Sequence, residues 1–64
     1  MEAQMLNVRK FFELIGGSAV VKEHTGLKRA RISQFRTANR LPDAWMRYFK
    51  AVFPEQFKQA SDEN

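Results

Sequence analysis

The chain is 64 residues long, has no cysteine, and is 44% hydrophobic with 6 phenylalanines. That length allows one small domain, and the lack of cysteine excludes a disulfide framework or a thiolate metal site as its support. The net charge is +4, from 11 Lys and Arg against 7 Asp and Glu, and no apolar run is long enough for a membrane span or a signal peptide.

Residues 1–6 carry little pattern and read as either a ragged lead-in or a short extended arm. Asn7 suits the N-cap of a first helix over residues 8–15, where Val8, Phe11, Phe12 and Ile15 recur at helical spacing and Leu14 flanks them. Gly16-Gly17 ends this helix. Ser18 suits the N-cap of a second helix over about 19–25, with Val20 and Val21 on its buried side, and Gly26 breaks the chain again. A third helix is predicted from about Lys28 to Thr37, anchored by Ile32 and Phe35, with Leu27 packing from the turn. Ala38-Asn39-Arg40-Leu41 reads as a linker.

Pro42 suits the first turn of a fourth helix, where its missing N–H costs nothing, and Asp43 suits the positive end of the helix dipole. That helix covers about residues 43–53. Trp45, Phe49, Val52 and Phe53 form its apolar stripe, with Met46 and Tyr48 at the edges. Pro54 stops it. Glu55-Gln56-Phe57 adds one short turn that returns Phe57 to the core, and residues 58–64 read as a polar, frayed tail. The expected fold is all-α, four to five short helices in one domain over residues 1–64, ordered over about 5–57.

The charge is unevenly placed. Residues 22–40 hold Lys22, Lys28, Arg29, Arg31, Arg36 and Arg40 against Glu23 alone, an excess of five. The preceding residues balance, and the following ones carry a net −1. A solvated basic face is the bland explanation, but here the excess falls on two short helices joined through a glycine turn. That combination points to a polyanion partner.

With residues placed at about 100° intervals, Ile32 and Phe35 set the inward direction of the third helix. Ala30, Ser33 and Thr37 then face outward, with Arg29 and Gln34 on the flanks of that face. Arg can bond both acceptors of guanine, Gln can pair with adenine, and Ala can touch a thymine methyl. Ser33 and Thr37 are permissive, and Lys28 at the helix start can reach bases or phosphates. The expected base-reading set is therefore Lys28, Arg29, Ala30, Ser33, Gln34 and Thr37. Arg31 and Arg36 point sideways, Asn39 and Arg40 follow in the linker, and Lys22 lies on the preceding helix. These five suit phosphate contacts.

Residues 18–37 resemble the helix-turn-helix of phage Cro proteins and repressors. Val21, the turn Gly26, Leu27, Ile32 and Phe35 fall where that motif places its anchors. The Ile32-Ser33-Gln34-Phe35 run, the basic linker and Pro42 resemble the all-helical Cro type in particular. The resemblance covers about residues 7–53 and implies a lambda repressor-like architecture. It further implies a transcriptional repressor that binds double-stranded DNA, with Arg29, Ala30, Ser33 and Gln34 at bases and Ser18 at a phosphate. Two positions depart from the pattern. Lys22 stands where a small residue is usual, and Lys28 stands at the third helix's start in place of a Ser, Thr or Asp cap.

Other chemistry finds little support. His24 is the only histidine and has no second His or Cys at metal spacing, so an exposed or partly packed side chain is expected and no metal. Ser33, His24 and Asp43 fall on different short helices of a chain too small for a closed pocket, so no enzyme, cofactor or small-molecule ligand is expected. Trp45 is either a core residue or a contact to DNA backbone or a second subunit. Tyr48, Val52, Phe53 and Phe57 exceed what a small monomer needs and offer either a completed core or an interface.

The function expected is promoter occlusion by a cytoplasmic phage or prophage repressor, bound as a homodimer to a palindromic operator, with a monomer as one option for the free protein. Two rivals of different class stand beside it. One is a protein-interaction module that sets the basic helix against an acidic partner. The other is a nonspecific architectural DNA binder.

Overall fold

Asn7 starts the first helix by two devices. Its Oδ1 accepts from the Lys10 N–H at 3.1 Å, and its own N–H donates to the Ala60 carbonyl at 2.9 Å. The first satisfies an orphan donor of the helix, and the second ties the beginning of the fold to its end. The computed structural model of the protein describes residues 6–61, and the expectations for residues 1–5 and 62–64 lie outside them. The described residues form five helices: α1 Val8–Ile15, α2 Ser18–Thr25, α3 Arg29–Ala38, α4 Asp43–Val52 and α5 Pro54–Ala60. Among the described residues an isolated antiparallel bridge pairs Leu6 with Ser61. The all-α class expected from the apolar spacing is the class observed.

α1 is the central element. It packs against α2, α3 and α5, while α4 packs against α5. Phe11, fully buried, sits where these elements meet. Its ring centroid is 5.3 Å from Phe49 of α4, 5.5 Å from Phe57 of α5 and 6.4 Å from Phe53, each in edge-to-face geometry. Such pairs add to the ~1.5–3 kcal/mol that each buried ring contributes by leaving water. Phe12, Val8, Val21 and Ile32 complete the most deeply buried set.

Gly16 closes α1 and lets α2 come near. Its φ is +121°, and a Cβ built on it would lie 2.6 Å from Val20 Cγ2. Only a residue without a side chain permits both the turn and the contact.

Several expectations need correcting. Ser18 is not the N-cap of α2. Gly17 holds that place, because its carbonyl already accepts from Val20 and Val21 N–H at 3.1 and 3.2 Å. Ser18 becomes the first helical residue. Pro42 is likewise the N-cap of α4, not a first-turn residue, and its carbonyl accepts from Met46 N–H at 2.9 Å.

Val52 is not in the apolar interface; it is 43% exposed. α4 faces the core through Phe49, with Met46 and Phe53 half-buried beside it, and Val52 lies around the helix from that side. Residues 58–60 are not part of a frayed tail. α5 runs through Ala60, which is 3% exposed, and Ser61 after it pairs with Leu6. Leu41, assigned to the linker, is also buried, as is Leu6.

Candidate nucleic-acid interface

The connection between α2 and α3 is three residues, Gly26-Leu27-Lys28, and each has a defined job. Gly26 takes the left-handed conformation at φ 73° and donates its N–H to the Lys22 carbonyl at 2.7 Å. Thr25 Oγ1 donates to the Val21 carbonyl at 2.9 Å and accepts from the Leu27 N–H at 3.1 Å. Leu27 is half-buried against the core. Lys28 is extended, and its carbonyl accepts from Arg31 and Ile32 N–H to open α3. A capped, hydrogen-bonded turn with an apolar anchor leaves α2 and α3 little freedom to change their crossing.

α3 has one fully buried residue, Ile32, with Phe35 half-buried one turn on. Its remaining surface is open. Arg29, Ala30, Arg31, Gln34, Arg36 and Thr37 are exposed, and Ser33 is half-exposed. Lys28 before the helix and Arg40 after it are exposed too. The base-reading candidates are thus exposed or half-exposed, and none of them belongs to the buried core. No acid lies in the first turn of α2 or α3, and neither N-terminus has a side-chain cap. Backbone N–H groups and cations therefore face solvent together, the electrostatics an anionic partner requires.

A cleft opens between the two helices. Ser18, Ala19 and Lys22 form its α2 wall, Arg29 its α3 wall, and Ile32 its base. Two residues expected at phosphates, Ser18 and Lys22, are brought together here with one expected at a base, Arg29.

Asn39 has a structural job that the residue pattern did not show. It is the C-cap of α3 at φ 55°, and its Oδ1 accepts from the Val8 N–H at 2.9 Å. It therefore latches the end of α3 to the start of α1, which leaves only its amide nitrogen for a phosphate. Arg31 and Arg36 extend from α3, and Arg40 follows it, without any such engagement in the core.

The charge arithmetic by segment missed Lys10. This lysine lines the same surface depression as Asn39, beside the end of α3, and Glu2 and Glu13 cancel Arg9 and Lys10 when residues 1–21 are summed as one segment. No pattern in the primary structure would have singled it out.

His24 is half-buried, as expected for a packed histidine. Its Nδ1 is 2.9 Å from the Tyr48 hydroxyl, and its ring stands edge-on to Phe53 at 5.1 Å. The contact joins α2 to α4. Among the described residues there is no group of three or more His, Cys, Asp or Glu placed to hold a metal, and no helix long and apolar enough to cross a membrane. Trp45 is half-buried, with its ring against Tyr48 at 5.6 Å and Phe49 at 6.1 Å. It therefore belongs to the edge of the core while keeping a solvent-facing side.

Compared with known proteins, the chain matches no family model, no curated protein and no solved structure.

Proposed function

We propose that the protein is a sequence-specific double-stranded DNA-binding domain, a Cro-like repressor that acts by occluding a promoter. In this reading α2 and α3 are a helix-turn-helix and α3 lies in the major groove. The observation that carries it is the division of labour on α3. One side is anchored by Ile32 at 1% exposure, while the other presents Ala30, Ser33, Gln34 and Thr37 to solvent with Lys28 and Arg29 at its leading end. A surface helix that served only solubility would not need so rigid a turn before it, nor so complete an absence of acids.

Arg31, Arg36 and Arg40 hold phosphates around the groove, with Lys22 and Ser18 on the α2 side. The bound form is a two-fold dimer on a palindromic operator, with half-sites about one helical turn, ~34 Å, apart. One module of this size reads few bases, and pairing doubles them. Tyr48 and Val52, 37% and 43% exposed, supply apolar surface for the second copy. The site of action is the cytoplasm, where phage or prophage DNA is transcribed.

Selection of bound sequences from a random duplex pool tests the reading. A preferred site bound ~10³-fold or more above random duplex is the expected result. Tight binding without preference would make the protein an architectural binder. No binding to duplex would return the basic helix to an acidic protein partner.

A further inference from the structure

The cleft between α2 and α3 assigns Arg29 a different job from its neighbours on α3. We propose that this cleft seats a single tetrahedral oxyanion, gripped by Lys22 from one wall and Arg29 from the other. In the DNA complex that oxyanion is one backbone phosphate, and Arg29 reads no base. The inference rests on the DNA-binding reading for the identity of the anion but not for the existence of the seat.

Three observations lead to it. First, Lys22 lies one turn on from both Ser18 and Ala19, at i+4 and i+3, so the three line the cleft from α2, and Arg29 closes it from α3. The wall near Ser18 and Ala19 is made of small side chains, which leaves room between the two long cationic ones. Second, the two cations face a common space with no acid in the first turn of either helix. Like charges so placed repel each other, and an anion between them converts that repulsion into two attractions. Ser18 adds a hydroxyl donor to the same space. Third, the helical angle of Arg29 is wrong for a base reader. It lies about 90° around α3 from the outward direction set by Ile32 and Phe35, whereas Ala30 and Thr37 lie within about 10° of it. Arg29 therefore leans toward α2, along the wall of the groove.

A small residue in place of Lys22 would leave the cleft with one cation. Lys22 lines the cleft together with the buried Ile32, and a lysine can lay its aliphatic stem on such apolar surface while its amine stays in water.

The test has two arms, and all variants are first checked for an unchanged thermal melt. In the first, affinity is measured against salt for the parent, Lys22→Ala, Arg29→Ala and the double variant, on a selected duplex and on an unrelated one. Two cations that share one phosphate predict that the double variant flattens the slope of log affinity against log salt by ~0.9, the worth of one phosphate. Each single variant weakens both duplexes alike and leaves the order of preferred sequences intact. A loss of about twice that slope in the double variant would mean separate phosphates. A changed base preference in Arg29→Ala would mean base reading. Either result overturns the assignment.

The second arm uses inorganic phosphate without DNA. Backbone amide resonances of Ser18, Ala19 and Arg29 are expected to shift on phosphate titration in the parent and to stay still in the double variant. Absence of these shifts in the parent removes the seat. Their presence in a protein that binds no duplex would keep the seat and refute the DNA reading instead.

Discussion

The half of the molecule built from α1, α4 and α5 is held by a cluster of rings, whereas α2 and α3 each have one fully buried residue, helped by half-buried Val20, Leu27 and Phe35 and by the contact of His24 with Tyr48 and Phe53. Phe11 meets the rings of Phe12, Phe49, Phe53 and Phe57. By contrast, α2 contributes one fully buried residue, Val21, and α3 one, Ile32. The difference shows how a 64-residue chain reconciles two demands. A stable core needs apolar area, and α3, in the role proposed for it, needs nearly all of its surface free. Concentrating the aromatics in three helices lets α3 attach through a minimal footprint. The geometry of α3 then rests on the turn before it and the latch after it as well as on Ile32 and Phe35.

The sharpest way to break this contrast is to strike each half at its anchor. Phe11→Ala removes the hub of the aromatic half and is expected to cost about 3–5 kcal/mol, enough to unfold a small domain at 37 °C. Ile32→Ala removes the anchor of α3 and is expected to cost somewhat less, about 2–5 kcal/mol, because the side chain removed is smaller. Urea denaturation followed by tryptophan fluorescence and by far-ultraviolet circular dichroism ranks the two. An Ile32→Ala midpoint equal to the parent's would show that α3 is held by something other than its core contact.

The glycines that link the helices give the next largest effect. Gly16→Ala meets both a positive φ and the 2.6 Å approach to Val20 Cγ2, whereas Gly26 has the positive φ with nothing within 4 Å of its added Cβ. Gly26→Ala is therefore expected to cost about 1–2 kcal/mol, the ordinary penalty of the left-handed conformation. Gly16→Ala is expected to exceed it. Thermal melts that place the two in the opposite order would deny the close approach of α1 and α2.

Much of this division was legible in the residues before any coordinates. The bounds of α1 and the cap at Asn7 agree with the structure because apolar spacing, a capping residue and a glycine stop all fall within a dozen positions. The open face of α3 was legible for a related reason, since it is the complement of Ile32 and Phe35. What was not legible is non-local. Leu6, Leu41 and Ala60 lie outside any helical stripe that sets them apart; Leu6 and Ala60 are buried where Leu6 pairs with Ser61, and Leu41 is buried on the same side as Leu6 and Val8. Val52 fits the stripe of α4 but not the roll of that helix against α1 and α5. Asn39 looks like a polar linker residue until Val8, 31 positions away, is found donating to it. The cleft of Lys22 and Arg29 depends on how α2 crosses α3, which no pattern within either helix encodes.

A smaller effect separates reading from holding. Gln34 is exposed and supports no part of the core, so Gln34→Ala is expected to leave stability within about 0.5 kcal/mol of the parent. On the preferred duplex it is expected to lose roughly 1–3 kcal/mol of binding and to relax selectivity at one base pair. Competition binding with duplexes varied one base pair at a time measures both. An unchanged profile would place Gln34 off the groove floor.

The smallest effects come from the two arginines at the far end of α3, and together they sharpen the contrast most finely. Arg36 lies in the last turn of the helix, where a cation favours the negative end of the dipole by about 0.3–1 kcal/mol. Arg40 lies beyond the helix and has no such role. Both are exposed, and both are proposed to hold phosphates. Arg36→Ala is thus expected to lower stability by a few tenths of a kcal/mol, and Arg40→Ala to leave it unchanged. Each is expected to weaken all duplexes about equally and to flatten the salt dependence by ~0.9. The shared slope change with unequal stability is the signature of two phosphate contacts, only one of which also serves the fold. If Arg40→Ala leaves the slope untouched while Arg36→Ala moves it, the DNA backbone leaves the protein before the linker, and the footprint ends with α3 itself.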